Sequence, residues 1–315
     1  MTPSLALESS VFLTYLGIAA GLLVLGAAAI ALVATATKRD VSHAKRSYGG
    51  WLVMIPAVML CIFLGRIPTI LLFALLSVVG FKEYARATGL YQDWWMTGVV
   101  YLAIAAIATT AAVPDPSYEV LGWYGLFMAL PAFALAAIFA VPILRNQAEG
   151  QVKLIALAAV GFIYIGWMFG HAEFLADSKH AYGYILYLLF AVEINDVAAF
   201  TFGRFFGRRQ LRSNISPKKT WGGALGALST SLVLPWVLWF SFPHFGALEL
   251  VLTGLIVGIG GQLGDLSMSI IKRDLKIKDM GTAIAGHGGI LDRIDSMIYV
   301  APLFFHMVRW FHGIY

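Results

Sequence analysis

Apolar residues in this chain come in long unbroken blocks separated by short polar joints. The blocks cover approximately 11–37, 97–113, 121–143, 153–176, 182–202, 223–242, 249–271 and 296–312. A helix needs about 20 apolar residues to cross a bilayer, so each block predicts one transmembrane span. The stretch 51–80 is harder. As one helix it would be about 45 Å long, too long for a single upright span. Split at Arg66 it gives two short arms, 51–65 and 67–80.

Charge decides between these readings, because basic loops stay on the cytoplasmic side. Segment 38–50 carries Lys38, Arg39, Lys45 and Arg46; segment 203–222 carries Arg204, Arg208, Arg209, Arg212, Lys218 and Lys219. Segment 272–295 adds Lys272, Arg273, Lys276, Lys278 and Arg293. The loop holding Asp115 and Glu119 has no basic residue and belongs outside. With 81–96 then inside, 51–80 must cross twice, as a hairpin with Arg66 near the outer turn. The expected fold is all-α: a polytopic bundle of about nine or ten transmembrane helices with an external N-terminus. Residues 1–50 form an N-terminal helix with its basic loop, 51–180 a lipid-facing half, and 181–315 the half expected to carry chemistry.

Composition agrees. Of 315 residues, 60% are hydrophobic and 12% charged, and mean hydropathy is +0.80. A soluble domain is about one-quarter charged. A secreted globule, a disordered chain and a nucleic-acid-binding module are excluded. The one cysteine, Cys61, lies in an apolar run and is given no role.

Acids within the spans carry the first chemical signal, because a carboxylate in lipid is a functional hypothesis by default. Glu173, near the outer end of its span beside Asp177, is expected to reach water, and His171 to be structural. Glu193 and Asp196 share one helix face at i,i+3 spacing. Asp265, Ser269 and Lys272 form a stripe at i, i+4, i+7, and Asp292 and Asp295 share a face if a helix begins there. Hard oxygen ligands next to a dense basic patch suit Mg²⁺ with substrate phosphates, the remaining phosphate charge going to Lys and Arg. The plain alternative is that acids and bases pair with one another, and spacing alone does not choose between the two. Gly286-His287-Gly288-Gly289 could expose amides to a phosphate. Ser216-Pro217 has the pattern of an N-cap followed by an N1 proline, predicting a helix from Pro217 with an anion site at its start.

These residues resemble a known family. Ser269-Ile-Ile-Lys272-Arg273, then Lys278-Asp279, Gly281, and His287-Gly288-Gly289-Ile290-Leu-Asp292-Arg293-Ile294-Asp295 resembles the phosphatidate cytidylyltransferase (CDP-diacylglycerol synthase) signature. Asn195-Asp196 with Gly203-Arg204 and Gly207-Arg208, and Ser216-Pro217-Lys218-Lys219-Thr220, resemble two further blocks of it. The likeness is strong over roughly 190–300. The resemblance implies an integral-membrane enzyme moving CMP from CTP to phosphatidic acid, with its active site facing the cytoplasm. It implies Asp196, Asp265, Asp292 and Asp295 as catalytic and metal-holding residues, with Mg²⁺ as cofactor and room for a second cation such as K⁺. Substrate contacts would come from Asn195, Ser216, Lys218, Lys219, Thr220, Ser269, Lys272, Arg273, Lys278, Asp279, His287, Gly288, Gly289 and Arg293. Bundles of this kind commonly pair as homodimers.

The chain departs from that pattern at four places. Family members commonly have Glu at Met268 and Gly222, Ser at Met280 and Pro at Ala285. A paralogue acting on another phosphorylated lipid therefore stays open. A transporter would want acids near the midplane and along a path outward, and here they crowd at one side.

Overall fold

The computed structural model describes residues 1–37, 40–116, 121–281 and 288–312. It is an all-helical bundle in which α1 (Pro3–Glu8) precedes the long α2 (Ser10–Thr37). There follow α3 (Ser42–Leu64), α4 (Arg66–Thr88), α5 (Trp94–Ala112) and α6 (Tyr124–Leu144). The next span joins α7 (Gln151–Val160) to α8 (Phe169–Phe174) through a π-helical stretch, Gly161–Met168. Then come α9 (Ala181–Phe206), strands β1 (Gln210–Arg212) and β2 (Ser216–Thr220), and α10 (Trp221–Val237). α11 (Ala247–Leu255) runs through a second π stretch, Ile256–Gly260, into α12 (Gly261–Asp274), and α13 (Leu291–His312) closes the chain.

Eight helical segments among the described residues are long and apolar enough to cross a membrane. α10, at 17 residues, and α13, which starts at Leu291 ahead of Asp292, Arg293 and Asp295, are two further long segments that fall outside those eight. The stretch around Arg66 is a hairpin, but its arms are longer than the hydropathy suggested. α3 and α4 each have 23 residues, and Gly65 alone separates them, at φ +117°. The apolar run had hidden their polar ends, Ser42–Gly50 and Lys82–Thr88.

Polar ties hold the helices at both ends of the bundle. At one end Arg66, at the start of α4, pairs with Asp177 and donates to the carbonyls of Ala111 (2.6 Å) and Ala112 (3.1 Å), where α5 stops. This corrects the expectation that Glu173 reaches water. Glu173 is 0% exposed and Asp177 is buried against the guanidinium, because the turn closes over them. At the other end Asp93 caps α5 through the Met96 amide and pairs with Arg145 beyond α6 at 2.6 Å. Between these layers the core is aromatic: Phe73, Phe81, Phe127, Phe162, Phe169, Phe304 and Phe305 are fully buried. Leu22, Val24, Leu25 and Leu32 of α2 face outward, as lipid contact allows.

Candidate functional site

A short hairpin after α9 builds the first wall of the site. Gln210 pairs with Thr220 and Arg212 with Ser216, antiparallel. The helix expected from Pro217 is therefore not present; Ser216–Thr220 is a strand and α10 begins at Trp221. In a two-stranded ribbon Pro217 needs no partner for its missing N–H. The capping residue is Thr220, whose Oγ1 accepts from the Gly223 amide at 3.2 Å. Extended backbone alternates the side chains, leaving Lys218 exposed and turning Lys219 partly inward.

Glycines bring the hairpin close to α9. A Cβ on Gly223 would lie 2.5 Å from the Ala199 carbonyl, and one on Gly222 would lie 2.6 Å from the Phe206 carbonyl. Helices in lipid approach through such small residues because tight packing, not water exclusion, holds them. The family's usual Glu has no room at Gly222 with α9 and α10 this close.

α12 forms the opposite wall. Gln262 and Asp265 face the cleft, and Ser269 donates to Asp265 Oδ1 at 3.3 Å. Lys219 crosses from the hairpin to reach Asp265, with Nζ 2.5 Å from Oδ2. Asp196 of α9 lines the same space, as do Arg204, Ser216, Lys218 and Thr220, with Phe200, Leu211 and Ala224 as apolar wall. The cleft has a volume of about 460 Å³, within the range of small-molecule sites. Gln262, Phe200 and Leu211 were absent from the sequence-based reading, and Arg204 was noted there only as part of a basic loop and a family block, since only the fold brings α9, the hairpin and α12 together.

The remaining signature residues sit beside or behind this cleft. Lys272 donates to Asp292 Oδ1 at 2.8 Å, while Asp292 Oδ2 accepts from the amides of Met280 (2.9 Å) and Gly289 (3.1 Å). The Gly289 amide is thus engaged by its own signature. Gly288, at φ +83°, packs beside Asp292 and Asp279. Arg273 donates from Nε to the Ile215 carbonyl at 3.2 Å, tying α12 to the hairpin turn. Asp295 is buried, accepts from the Ser296 amide at 2.7 Å, and lies within electrostatic reach of Asp265 and Asp196. Arg293 is exposed and stands in reach of Glu193 and Asp196. Asn195 faces away from the cleft. It is fully buried and accepts from Ser231 at 3.0 Å, tying α9 to α10. Lys278 and Asp279 are exposed, and His287 and Ala285 lie outside the described residues.

One participant escaped the sequence altogether. Glu83, near the end of α4, accepts from the amides of Ile290 (3.1 Å) and Leu291 (2.9 Å), where α13 begins. Hydropathy had placed it in a connecting loop, so its burial carried no signal.

Among the described residues, no three His, Cys, Asp or Glu side chains converge closely enough to share one ion. Two carboxylates, Asp196 and Asp265, line the cleft. That donor set fits Mg²⁺, which is usually held by one or two carboxylates together with phosphate oxygens and water.

Residues 45–311 match the profile of the cytidylyltransferase family. The chain is 31% identical over 247 residues to the uncharacterised protein YnbB of Escherichia coli K12, covering 77% of this chain and 79% of that one. It is 41% identical over 160 residues to a phosphatidate cytidylyltransferase of Staphylococcus haemolyticus, and 38% identical over 161 residues to one of Staphylococcus aureus. Each of these two matches covers 50% of this chain and 60% of the relative's length.

Proposed function

The chain belongs to the cytidylyltransferase family, and from that membership and the geometry of the cleft we propose that it transfers CMP from CTP to phosphatidic acid, giving CDP-diacylglycerol and pyrophosphate. The observation that carries this reading is the pairing of Lys219 with Asp265 across a cleft that also holds Asp196, Arg204 and Lys218. Cations and carboxylates held against each other in this way are ready to exchange partners when a triphosphate arrives.

A phosphate oxygen of the lipid attacks the α-phosphorus of CTP in line, and the bond from that phosphorus to the β-phosphate oxygen breaks. Pyrophosphate leaves with the electron pair. Such chemistry is mostly positioning and neutralisation of charge. Lys218, Lys219 and Arg204 take the triphosphate, with Lys272 and Arg273 at the end of α12 and Arg293 beside it. As Lys219 and Lys272 turn to phosphate oxygens, the carboxylates of Asp265 and Asp292 are released. Asp265 and Asp196, with Asp292 and Asp295 adjoining, then form the acidic side of the site. Asp265 and Asp196 would hold Mg²⁺, which would supply Lewis-acid polarisation of the α-phosphate, and the acidic side has room for a second cation such as K⁺. No general base is needed, because a phosphate monoester is already anionic at neutral pH.

The basic loops support a cleft on the cytoplasmic side, where CTP is dissolved and the lipid phosphate lies at the interface. Phe200, 72% exposed at the cleft wall, offers a surface for acyl chains. Met268 and Met280, two departures from the family pattern, are buried and do not line the cleft.

The test is direct. Purified protein receives labelled CTP, Mg²⁺ and a panel of lipid phosphates, and label is followed into lipid. Incorporation into phosphatidic acid is expected. None with any acceptor overturns the reading.

A further inference from the structure

Two carboxylates meet where the signature folds back on itself. Asp292 Oδ2 accepts one amide from each side of residues 281–288, those of Met280 and Gly289. Glu83 comes from the far earlier α4 and takes the next two amides, Ile290 and Leu291. The first amides of a helix have no partner within it, and a negative charge there is favoured by the helix dipole. Glu83 therefore caps α13 from another span.

Its fit is close on both sides. A Cβ on Gly281 would lie 2.4 Å from Glu83 Oε1, and one on Gly289 would lie 2.4 Å from Oε2. A Cβ on Gly289 would also come within 2.8 Å of the Gly281 amide nitrogen. The two sides of the signature thus touch, and the Glu83 carboxylate fills the seam between them. On the other side of that seam Asp292 holds Lys272.

We propose that Glu83 is a positioning residue for nucleotide binding, acting through the seam of the signature on Asp292 and thereby on Lys272. The inference rests on the nucleotidyl-transfer reading above. A carboxylate offers two acceptors to two amides, whereas a glutamine turns an NH₂ group toward one of them.

The test compares the full-length wild-type protein with Glu83→Gln, Glu83→Ala, Gly281→Ala and the double variant Gly281→Ala/Glu83→Ala. Hydrogen exchange over 288–292 and steady-state kinetics with CTP and phosphatidic acid are measured on each folded protein. In Glu83→Gln, exchange at Ile290 or Leu291 quickens and KM for CTP rises about tenfold, the scale of one charge-assisted hydrogen bond lost, with kcat unchanged. Gly281→Ala shifts both readouts the same way, and the double variant is no worse than Glu83→Ala alone, because the clash partner is gone. Unchanged exchange in Glu83→Gln overturns the proposal. So does faster exchange, or a lower melting temperature, with KM for CTP unmoved. If the wild type transfers nothing from CTP, the functional reading itself fails and takes this one with it. A wild type that is active, with Glu83→Gln kinetically identical, sinks the positioning role alone.

Discussion

Lys219 and Asp265 lie on opposite walls of the cleft, one on β2 and the other on α12, with Nζ and Oδ2 2.5 Å apart. Neither is sealed from solvent, with side chains 23% and 29% exposed. A pair this accessible contributes little to stability. Its residues are therefore spent on something other than holding the fold.

Replacing Lys219 by Met should lower kcat/KM for CTP about 100-fold, or about 2.7 kcal/mol, with little change in melting temperature. A melting temperature that collapses while kcat/KM survives would identify the lysine as scaffold instead.

The glycine contact between α9 and α10 makes a second forecast. Gly223→Ala presses a methyl against the Ala199 carbonyl and should destabilise the protein by about 1–3 kcal/mol, as overpacking does. Gly98 on α5 has nothing within 4 Å of its Cβ direction. Gly98→Ala should be neutral or slightly stabilising, because alanine is the better helix former. Thermal melts in detergent compare the two directly.

Acidification should weaken the end of the bundle opposite the cleft. His244 stacks on His180, with ring centroids 3.6 Å apart, and its Nε2 lies 2.7 Å from the Tyr184 hydroxyl. Burial, with His180, His312 and Lys179 nearby, holds His244 down at about 4, and burial lowers His180 too. The folded state binds fewer protons than the unfolded one between about pH 6.5 and that value, so stability is complete above the window and falls as pH drops through it. His244→Phe keeps an aromatic ring in the stack and should flatten the dependence. A melting curve equally steep in the variant would remove His244 from the account.

The charge pattern predicts a sidedness that labelling can check. With Cys61 replaced, a cysteine at the exposed position 214 should react only with reagents that reach the cytoplasmic face, and one at 179 only from outside. The reverse result would invert the proposed orientation.

Much of the architecture was legible because lipid imposes one simple rule, a long apolar helix for each crossing. The hairpin at Arg66 was readable from charge alone. Its turn chemistry was not, since the partners of Arg66 are Asp177 and the ends of α5, remote in sequence. Asp196 and Asp265 were picked out by spacing, Lys218 and Lys219 by their basic loop and the family block, and the four do line one cleft. Ser216-Pro217 misled because a cap pattern and a strand with an edge proline look alike until β1 is in place. Glu83 was unreadable for a different reason. Its partners are backbone amides, and amides leave no trace in a sequence.

The π stretch Ile256–Gly260 sets the phase of everything after it. Each residue of an α-helix turns the chain about 100°, and a π turn inserts an extra residue into that winding. Deleting one residue from this stretch would let the span rewind as plain α-helix and swing Asp265 away from Lys219 of the hairpin and Lys272 away from Asp292. The span would stay as long and as apolar as a membrane requires. A homologue can therefore keep its hydropathy profile and every residue of the signature, and still lose the acidic wall of its cleft to a single-codon deletion within Ile256–Gly260, upstream of Asp265.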